Sequence, residues 1–184
     1  MVYILSKLSK ILTSKQFSNV CQGIFTSKLS YCLQVYGNVW GIPTMDETDR
    51  RFPAFTKEDN RRLQVLQNKI LRLKTGVGRE TSTKDLIKMS GDLSVQQLVA
   101  YHTIMTVHKA LKNEKPDYLY KKLFKKMPEN EGIFPQRQKN KVVVGNYQRT
   151  LSRGGFLYRG AKLYNSLPAS LTSESKLGTF KGKV

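Results

Sequence analysis

Apolar residues recur every three or four positions along most of the first 127 residues, which is the spacing of one face of an α-helix. The first such stretch covers the opening dozen residues, where Ile4, Leu5, Leu8, Ile11 and Leu12 recur at helical spacing, with Lys7 and Lys10 on the other face. We expect a plain first helix that packs on the next one. An amphipathic transit peptide is the alternative, although such peptides are normally richer in Arg and Ser.

The next stretch, Lys15 to Trp40, is long, mostly apolar and free of proline. Its apolar character on nearly all sides predicts a buried helix. We expect one long helix that breaks near Gly37 or Gly41.

The best-delimited helix is predicted over residues 57–75. Thr56 and Asp59 form a capping-box pattern before it, and Gly76 stands where a C-terminal cap belongs. At about 100° per residue, four aliphatic residues share its core face. These are Leu63, Leu66, Ile70 and Leu73. A basic stripe along one flank, which is either a phosphate contact or a solvated face, consists of Arg61, Arg62, Lys69 and Arg72.

Two more helix starts follow the same capping pattern. Ser82 precedes a short helix that ends near Gly91, and Ser94 precedes a long helix that runs to about Asn113. The wide apolar face of the long helix predicts that it is packed against other elements. Another helix is expected between residues 116 and 128. Its inward-facing side chains are expected to be Tyr118, Leu119, Leu123 and Phe124.

The helical period disappears after Pro128, and the chain has no acidic residue from Gly132 to Ser173. Val142 begins a short stretch that favours a short strand or an extended edge, and turn-like sequence follows it. We predict a mainly α fold with two domains. Residues 1–127 form a helical domain, and residues 128–184 form a basic, partly irregular C-terminal extension.

The extension closes with two recognisable segments. Residues 154–168 alternate aromatic, basic and small residues and end in a turn, and a final short helix is expected over residues 173–183. Leu177 and Phe180 are its expected apolar anchors. The rings of the first segment either stack on bases or, as is more usual, anchor the extension to its own domain. These rings belong to Phe156, Tyr158 and Tyr164.

Charge sets the expected partner class. The 184 residues include 32 Lys and Arg against 13 Asp and Glu, which gives a net charge of +19. Such a charge density favours a polyanionic partner, with nucleic acid first and anionic membrane second. It also makes phosphate contact by the basic stripe a stronger hypothesis than the stripe alone would justify.

No constellation of residues points to catalysis or to a cofactor. Cys21 with Cys32, and His102 with His108, lack the spacing of a metal site, so we expect reduced thiols and structural or solvated histidines. The acids at residues 46–49 are interpreted as a solvated turn in a Pro-rich loop. No apolar run reaches the length of a membrane span. We therefore expect a soluble, intracellular protein, nuclear or cytoplasmic rather than secreted, with no metal and no cofactor.

Three sequence blocks follow one another along the chain: SKLSYCLQVYGNVWG (Ser27–Gly41), LQVLQNKILRLKTG (Leu63–Gly76), and FLYRGAKLYNSLPASL followed by LGTFK. In this order they resemble the C-terminal third of reverse transcriptases of LINE-type, non-LTR retrotransposons. The matching positions are Ser27, Leu29, Tyr31, Trp40, Gly41, Leu66, Gln67, Ile70, Leu71, Arg72, Phe156, Tyr158, Asn165, Leu167 and Pro168. Tyr164 stands where the family usually has Trp.

The resemblance implies a thumb-like helical bundle with a C-terminal extension, without the palm domain whose paired Asp residues hold two metal ions. The sequence has no Asp-Asp pair, so we expect no polymerase activity from this chain alone. The implied partners are RNA or an RNA/DNA duplex and the remainder of a reverse transcriptase. The candidate nucleic-acid contacts are Arg61, Arg62, Lys69, Arg72, Arg137, Lys139, Lys141, Arg149, Arg153, Arg159 and Lys162. The alternative is a host-retained helical module that binds another protein.

Overall fold

The computed structural model describes residues 2–31, 57–123, 142, 144 and 156–184, and these residues are mainly helical. No strand occurs among them, so the prediction of a mainly α fold is confirmed. No helix in these ranges is long and apolar enough to cross a lipid bilayer.

Contacts group the chain into two compact units. The first comprises Met1–Trp40 and Pro53–Val99, and the second comprises Gly41–Phe52 and Ala100–Val184. The predicted domain boundary between residues 127 and 128 lies outside the described residues and stays a prediction.

The first unit begins with helix α1 (Val2–Leu8) and a longer helical segment. That segment runs without interruption through α2 (Ser14–Val20), a π-helical stretch (Cys21–Thr26) and α3 (Ser27–Ser30). It ends at Ser30 because the backbone of Tyr31 is extended, with ψ at 122°. The end comes earlier than we expected, and the breaks predicted at Gly37 and Gly41 lie outside the described residues.

A small apolar cluster forms the core below these helices. Phe17, Cys21 and Phe25 are spaced four residues apart, so they share one face of the helical segment. They pack with Leu5 of α1 and with Ile70 of the next helix. This packing attaches α1 and the α2–α3 segment to that helix.

Helix α4 (Lys57–Thr75) has the bounds that the sequence predicts. Gly76 adopts a left-handed conformation with φ at 72°, and its N–H donates to the Arg72 carbonyl oxygen at 2.8 Å. A glycine is favoured there because left-handed backbone is costly for other residues. The predicted start signal at Thr56 lies outside the described residues.

The buried face of α4 differs from the predicted one. Leu66 is 40% exposed, whereas Gln67, Asn68 and Leu71 are buried together with Ile70. The sequence prediction assigned aliphatic residues to the core and polar ones to water. It failed because two of the inward positions carry amides that hydrogen-bond inside the unit.

These amides form a network that joins three helices. Gln67 Nε2 donates to the Leu93 carbonyl oxygen at 2.7 Å, and Asn68 Nδ2 donates to Thr83 Oγ1 at 2.8 Å. Gln64 Oε1 accepts a hydrogen bond from the Val95 N–H at 3.0 Å, while Gln64 Nε2 donates to Gln67 Oε1 and Asn68 Oδ1 at 2.9 Å each. Each amide therefore has a partner, which buried amides require.

Helices α5 (Thr83–Ser90) and α6 (Val95–Asn113) begin as their capping residues predict. Ser82 Oγ accepts from the Asp85 N–H at 3.2 Å. The Ser94 N–H donates to the Gln97 side chain at 2.9 Å, and Ser94 Oγ accepts from the Gln97 N–H at 3.2 Å. Ser94 and Gln97 thus form a reciprocal capping box, whereas Ser82 caps α5 through its side chain. Both caps satisfy N–H groups that would otherwise lack partners.

In the part of the second unit that the structure describes, the remainder of α6 is followed by four shorter helices. Buried residues of α6, α8 and α10 form its core together with Leu119 and Val142. The four helices are α7 (Asp117–Leu123), α8 (Phe156–Asn165), α9 (Ala169–Thr172) and α10 (Leu177–Lys183).

Two side chains of the second unit depart from the expected burial. Leu119 is buried as predicted, but Tyr118 is 66% exposed. The predicted inward positions of Leu123 and Phe124 lie outside the described side chains. The final short helix is present but starts at Leu177, four residues later than predicted. Its Phe180 is fully buried, whereas Leu177 is 38% exposed.

Helix α8 is a regular element within the extension that we expected to be partly irregular. Residues 156–165 form a regular helix whose buried residues include Tyr158, Ala161 and Tyr164. After it, the Asn165 side chain accepts from the Val142 N–H and donates to the Val142 carbonyl oxygen, both at 2.8 Å. The side-chain amide thus occupies both backbone groups of Val142, which is not part of a strand.

Gly160 allows α8 to lie directly on α6. A Cβ atom built on Gly160 would lie 2.8 Å from Val107 Cγ2, which is closer than real Cβ contacts come. Val107 is fully buried and β-branched, so its methyl group has little room to move. A glycine at this position is therefore a packing requirement.

We predict that Gly160→Ala lowers the free energy of unfolding by about 1–3 kcal/mol because it overpacks this contact. The matched control is Gly178→Ala in α10, where an added Cβ meets no atom within 4 Å. The control should raise stability by up to about 1 kcal/mol through helix propensity. Urea unfolding followed by circular dichroism measures both, and equal effects of the two substitutions would contradict the close approach.

Candidate nucleic-acid interface

The basic stripe of α4 lies on the solvent side of the helix. The side chains of Arg61 and Arg62 are 68% and 71% exposed, and Lys69 is also exposed. The face that carries Ile70 and Asn68 is buried. Because one face of α4 is packed, Arg61, Arg62 and Lys69 lie on the solvent side, as a phosphate-binding helix requires.

The carboxylate of Glu58 pairs with two arginines of the basic stripe. Arg61 donates from Nε to Glu58 Oε2 at 2.7 Å and from Nη2 to Oε1 at 2.8 Å, while Arg62 Nε donates to Oε1 at 3.1 Å. Hydrogen bonds from Arg61 and Arg62 hold the pKa of Glu58 at about 2, so this carboxylate stays ionised at neutral pH. Two guanidinium groups share one negative charge, so this group of three side chains keeps a net positive charge.

Arg72 has a different role from the rest of the predicted stripe. Its guanidinium donates to the carbonyl oxygens of Gly78, Arg79 and Thr81 at 3.3, 3.2 and 3.1 Å. The side chain is half-buried and holds the loop between α4 and α5 against the helix end. Phosphate contact would have to compete with these hydrogen bonds, so we assign Arg72 to the fold.

The same hydrogen bonds place the backbone of Arg79 beside the C-terminal end of α4. Arg79 is exposed, and its carbonyl oxygen lies 3.2 Å from Arg72 Nη2. We did not select this residue from the sequence, because the loop has no period that relates it to α4. The only available sign was its positive charge.

The candidates in the extension divide into two groups. Arg137, Lys139, Lys141, Arg149 and Arg153 lie outside the described residues. Arg159 is only 2% exposed, and burial lowers the pKa of its guanidinium. Its expected place on a nucleic-acid surface is therefore wrong for this structure, because the helical turn of α8 directs it inward. Lys162 is half-buried, with Nζ 5.0 Å from the centre of the Tyr158 ring.

The rings of α8 anchor the helix in its own unit, as the structural alternative predicts. Tyr158 is 8% exposed and Tyr164 is 2% exposed, while Phe156 packs beside the core cluster. The Tyr164 hydroxyl lies 3.1 Å from His108 Nδ1. Burial raises the pKa of Tyr164 to about 12, so its hydroxyl stays neutral. These rings do not form an exposed stacking platform.

His108 joins α6, α8 and α10. The imidazole is fully buried and stacks on Phe180 with ring centres 3.6 Å apart and planes 3° apart. Burial is the largest cause that lowers its pKa; Lys112 lowers it further and Glu174 opposes the shift. His108 is therefore a neutral core residue.

Cys21 is likewise structural. Its thiol is buried among apolar side chains, and burial raises its pKa, so the reactive thiolate is disfavoured. Within the described ranges, no group of three or more potential ligands from His, Cys, Asp and Glu is placed to hold a metal ion. Cys32 lies outside those ranges.

Comparison with known proteins adds no relative. No family model, curated protein or solved structure matches this chain. The resemblance to LINE-type reverse transcriptases therefore stands on the sequence blocks alone.

We predict that Arg159→Ala lowers the free energy of unfolding by about 2–4 kcal/mol, because truncation removes a buried side chain and its packing. Lys162→Ala, one turn along the same helix, should cost less than about 1 kcal/mol. Thermal or urea unfolding of each variant measures the difference. A stable Arg159→Ala variant with weakened RNA binding would restore the surface role of Arg159.

We also predict that stability falls as the pH drops below about 6.5. The folded-state pKa of His108 is lowered from 6.5, so this group stabilises the fold above that pH. Between the two pKa values the unfolded chain binds more protons, which favours unfolding in acid. Urea unfolding at a series of pH values between 7 and 5 should show a steeper loss for the wild type than for His108→Gln.

His102 is the necessary comparison in that series. Burial, followed by the charge of Lys109, lowers its pKa as well, so His102→Gln should remove a separate part of the pH dependence. An unchanged slope in His108→Gln would show that its neutral state does not contribute to the pH dependence of folding.

Proposed function

We propose that this chain is the thumb-like and C-terminal part of a LINE-type reverse transcriptase, and that it binds RNA or an RNA/DNA duplex without sequence preference. The chain acts in binding and leaves catalysis to a palm domain with paired Asp residues. Its partners are then nucleic acid and the remainder of the polymerase, inside the cell. The three ordered sequence blocks and the charge of +19 support this proposal.

The exposed basic flank of α4 is the observation that carries the binding proposal. Arg61, Arg62 and Lys69 project from one side of a rigid 19-residue helix. Exposed ion pairs contribute little in water, so a phosphate can displace Glu58 from the two guanidinium groups. Arg groups bind phosphate in a bidentate manner, and such contacts position a duplex without recognising its sequence.

The exposed apolar residues of α4 favour a second candidate function. Val65 and Leu66 are 41% and 40% exposed beside the same cations. A mixed apolar and basic surface of this kind also fits a protein partner, as the host-retained interaction module requires. Pull-down with and without nuclease separates the two functions, since a partner held through RNA is lost after digestion.

We predict that replacing Arg61, Arg62 and Lys69 together with Gln weakens binding to a labelled RNA by about tenfold or more at about 0.1 M salt. The slope of log affinity against log salt should decrease by about two to three, because three phosphate contacts are lost. Fluorescence anisotropy on single-stranded RNA and on an RNA/DNA duplex measures both quantities.

The control removes three exposed lysines elsewhere, by changing Lys84, Lys88 and Lys121 to Gln. It alters the net charge equally and should reduce the slope by less than about one. Glu58→Gln should strengthen binding, because it releases both guanidinium groups from their shared carboxylate. If the stripe variant and the control bind alike, α4 is not the interface.

A further inference from the structure

Helix α1 and the turn after it carry large apolar side chains that do not belong to the core of the described residues. Tyr3, Ile4 and Ile11 are 72%, 61% and 79% exposed. The opposite face, which contains Leu5 and Leu8, packs on the core of the first unit. Exposure of Ile4 and Ile11 also corrects the expectation that all apolar positions of this stretch share one buried face.

Lysines are interleaved with these apolar residues. At about 100° per residue, Tyr3, Ile4 and Lys7 of α1 share an arc of about 100°. Lys10 and Ile11 follow in the turn after the helix, and both are exposed. Lys7 Nζ lies 5.5 Å from the centre of the Tyr3 ring. The outer face of α1, a name that we use for these three helical residues together with Lys10 and Ile11 of the following turn, is therefore both apolar and basic.

The surrounding sequence strengthens the positive charge. The first acidic residue of the chain is Asp46, so residues 2–31 contain lysines and no carboxylate side chain. An occupant of this face must complement positive charge and also gain from contact with aliphatic groups. Aliphatic side chains do not stack on bases as aromatic rings do, so Ile4 and Ile11 would add little to nucleic-acid binding.

We propose that the outer face of α1 is a docking surface for an anionic lipid bilayer. Ile4 and Ile11 enter the boundary between headgroups and acyl chains, and Tyr3 lies at the headgroup level, where amphipathic rings are favoured. Lys7 and Lys10 extend their alkyl stems along this boundary and place their ammonium groups at lipid phosphates and carboxylates. The docking is peripheral and reversible, and it does not depend on the proposed nucleic-acid function.

The test is co-sedimentation of the full chain with phosphatidylcholine vesicles that contain about 30% phosphatidylserine, and with pure phosphatidylcholine vesicles. Ile4→Ser combined with Ile11→Ser should weaken binding to the anionic vesicles by about tenfold. The matched control, Met89→Ser combined with Tyr118→Ser, removes two other exposed apolar side chains and should bind within about twofold of the wild type. Circular dichroism verifies that both variants are folded.

The charge contribution is tested with Lys7→Gln combined with Lys10→Gln, which should weaken binding to anionic vesicles and leave the weak binding to phosphatidylcholine unchanged. Tyr3→Trp should show a blue shift of fluorescence on anionic vesicles beyond that of the wild-type chain, which contains Trp40. Equal vesicle binding by the Ile4/Ile11 variant and its control would overturn the proposal, because the charge of the whole chain would then explain the binding. The proposal would also fail if the variant lost RNA binding or self-association while keeping vesicle binding.

Discussion

The orientation of α4 depends on three side-chain amides. Gln64, Gln67 and Asn68 point into the first unit, where an amide without a partner costs more than a hydrogen bond normally gains. Their partners lie on the loop before α6, on the first residue of α5 and on the first residue of α6. A rotation of α4 about its axis would leave several of these groups unsatisfied, so the helix has one permitted orientation.

That orientation decides which cations face water. With Asn68 and Ile70 directed inward, Arg61, Arg62 and Lys69 lie on the outer flank. Its spacing along the helix assigns Arg72 to the same flank, yet its guanidinium donates hydrogen bonds to carbonyl oxygens of the loop after α4. The hydrogen bonds of the three amides thus determine which cations form the proposed interface. Arg72, the fourth predicted member of the basic stripe, stabilises the fold instead.

In the second unit, too, buried polar groups are positioned by their hydrogen-bond partners. The Asn165 amide satisfies both backbone groups of Val142, and the Tyr164 hydroxyl meets His108 in the core. Because Gly160 has no side chain, α8 can approach α6 closely enough for these contacts. Polar tips in an apolar core therefore fix the position of α8 and explain why a basic and aromatic segment is mostly buried.

The sequence by itself determined the end of α4 and the starts of α5 and α6, because capping is local: Ser82, Ser94 and Gly76 act on backbone groups only a few residues away. It also determined the class of fold and the positive charge. Only the tertiary structure decided which faces are buried, since that depends on partners distant in sequence. Asn68 and Arg159 are inside and Ile4 and Leu66 outside, against hydropathy, because neighbouring elements supply or withhold packing and hydrogen bonds at those positions.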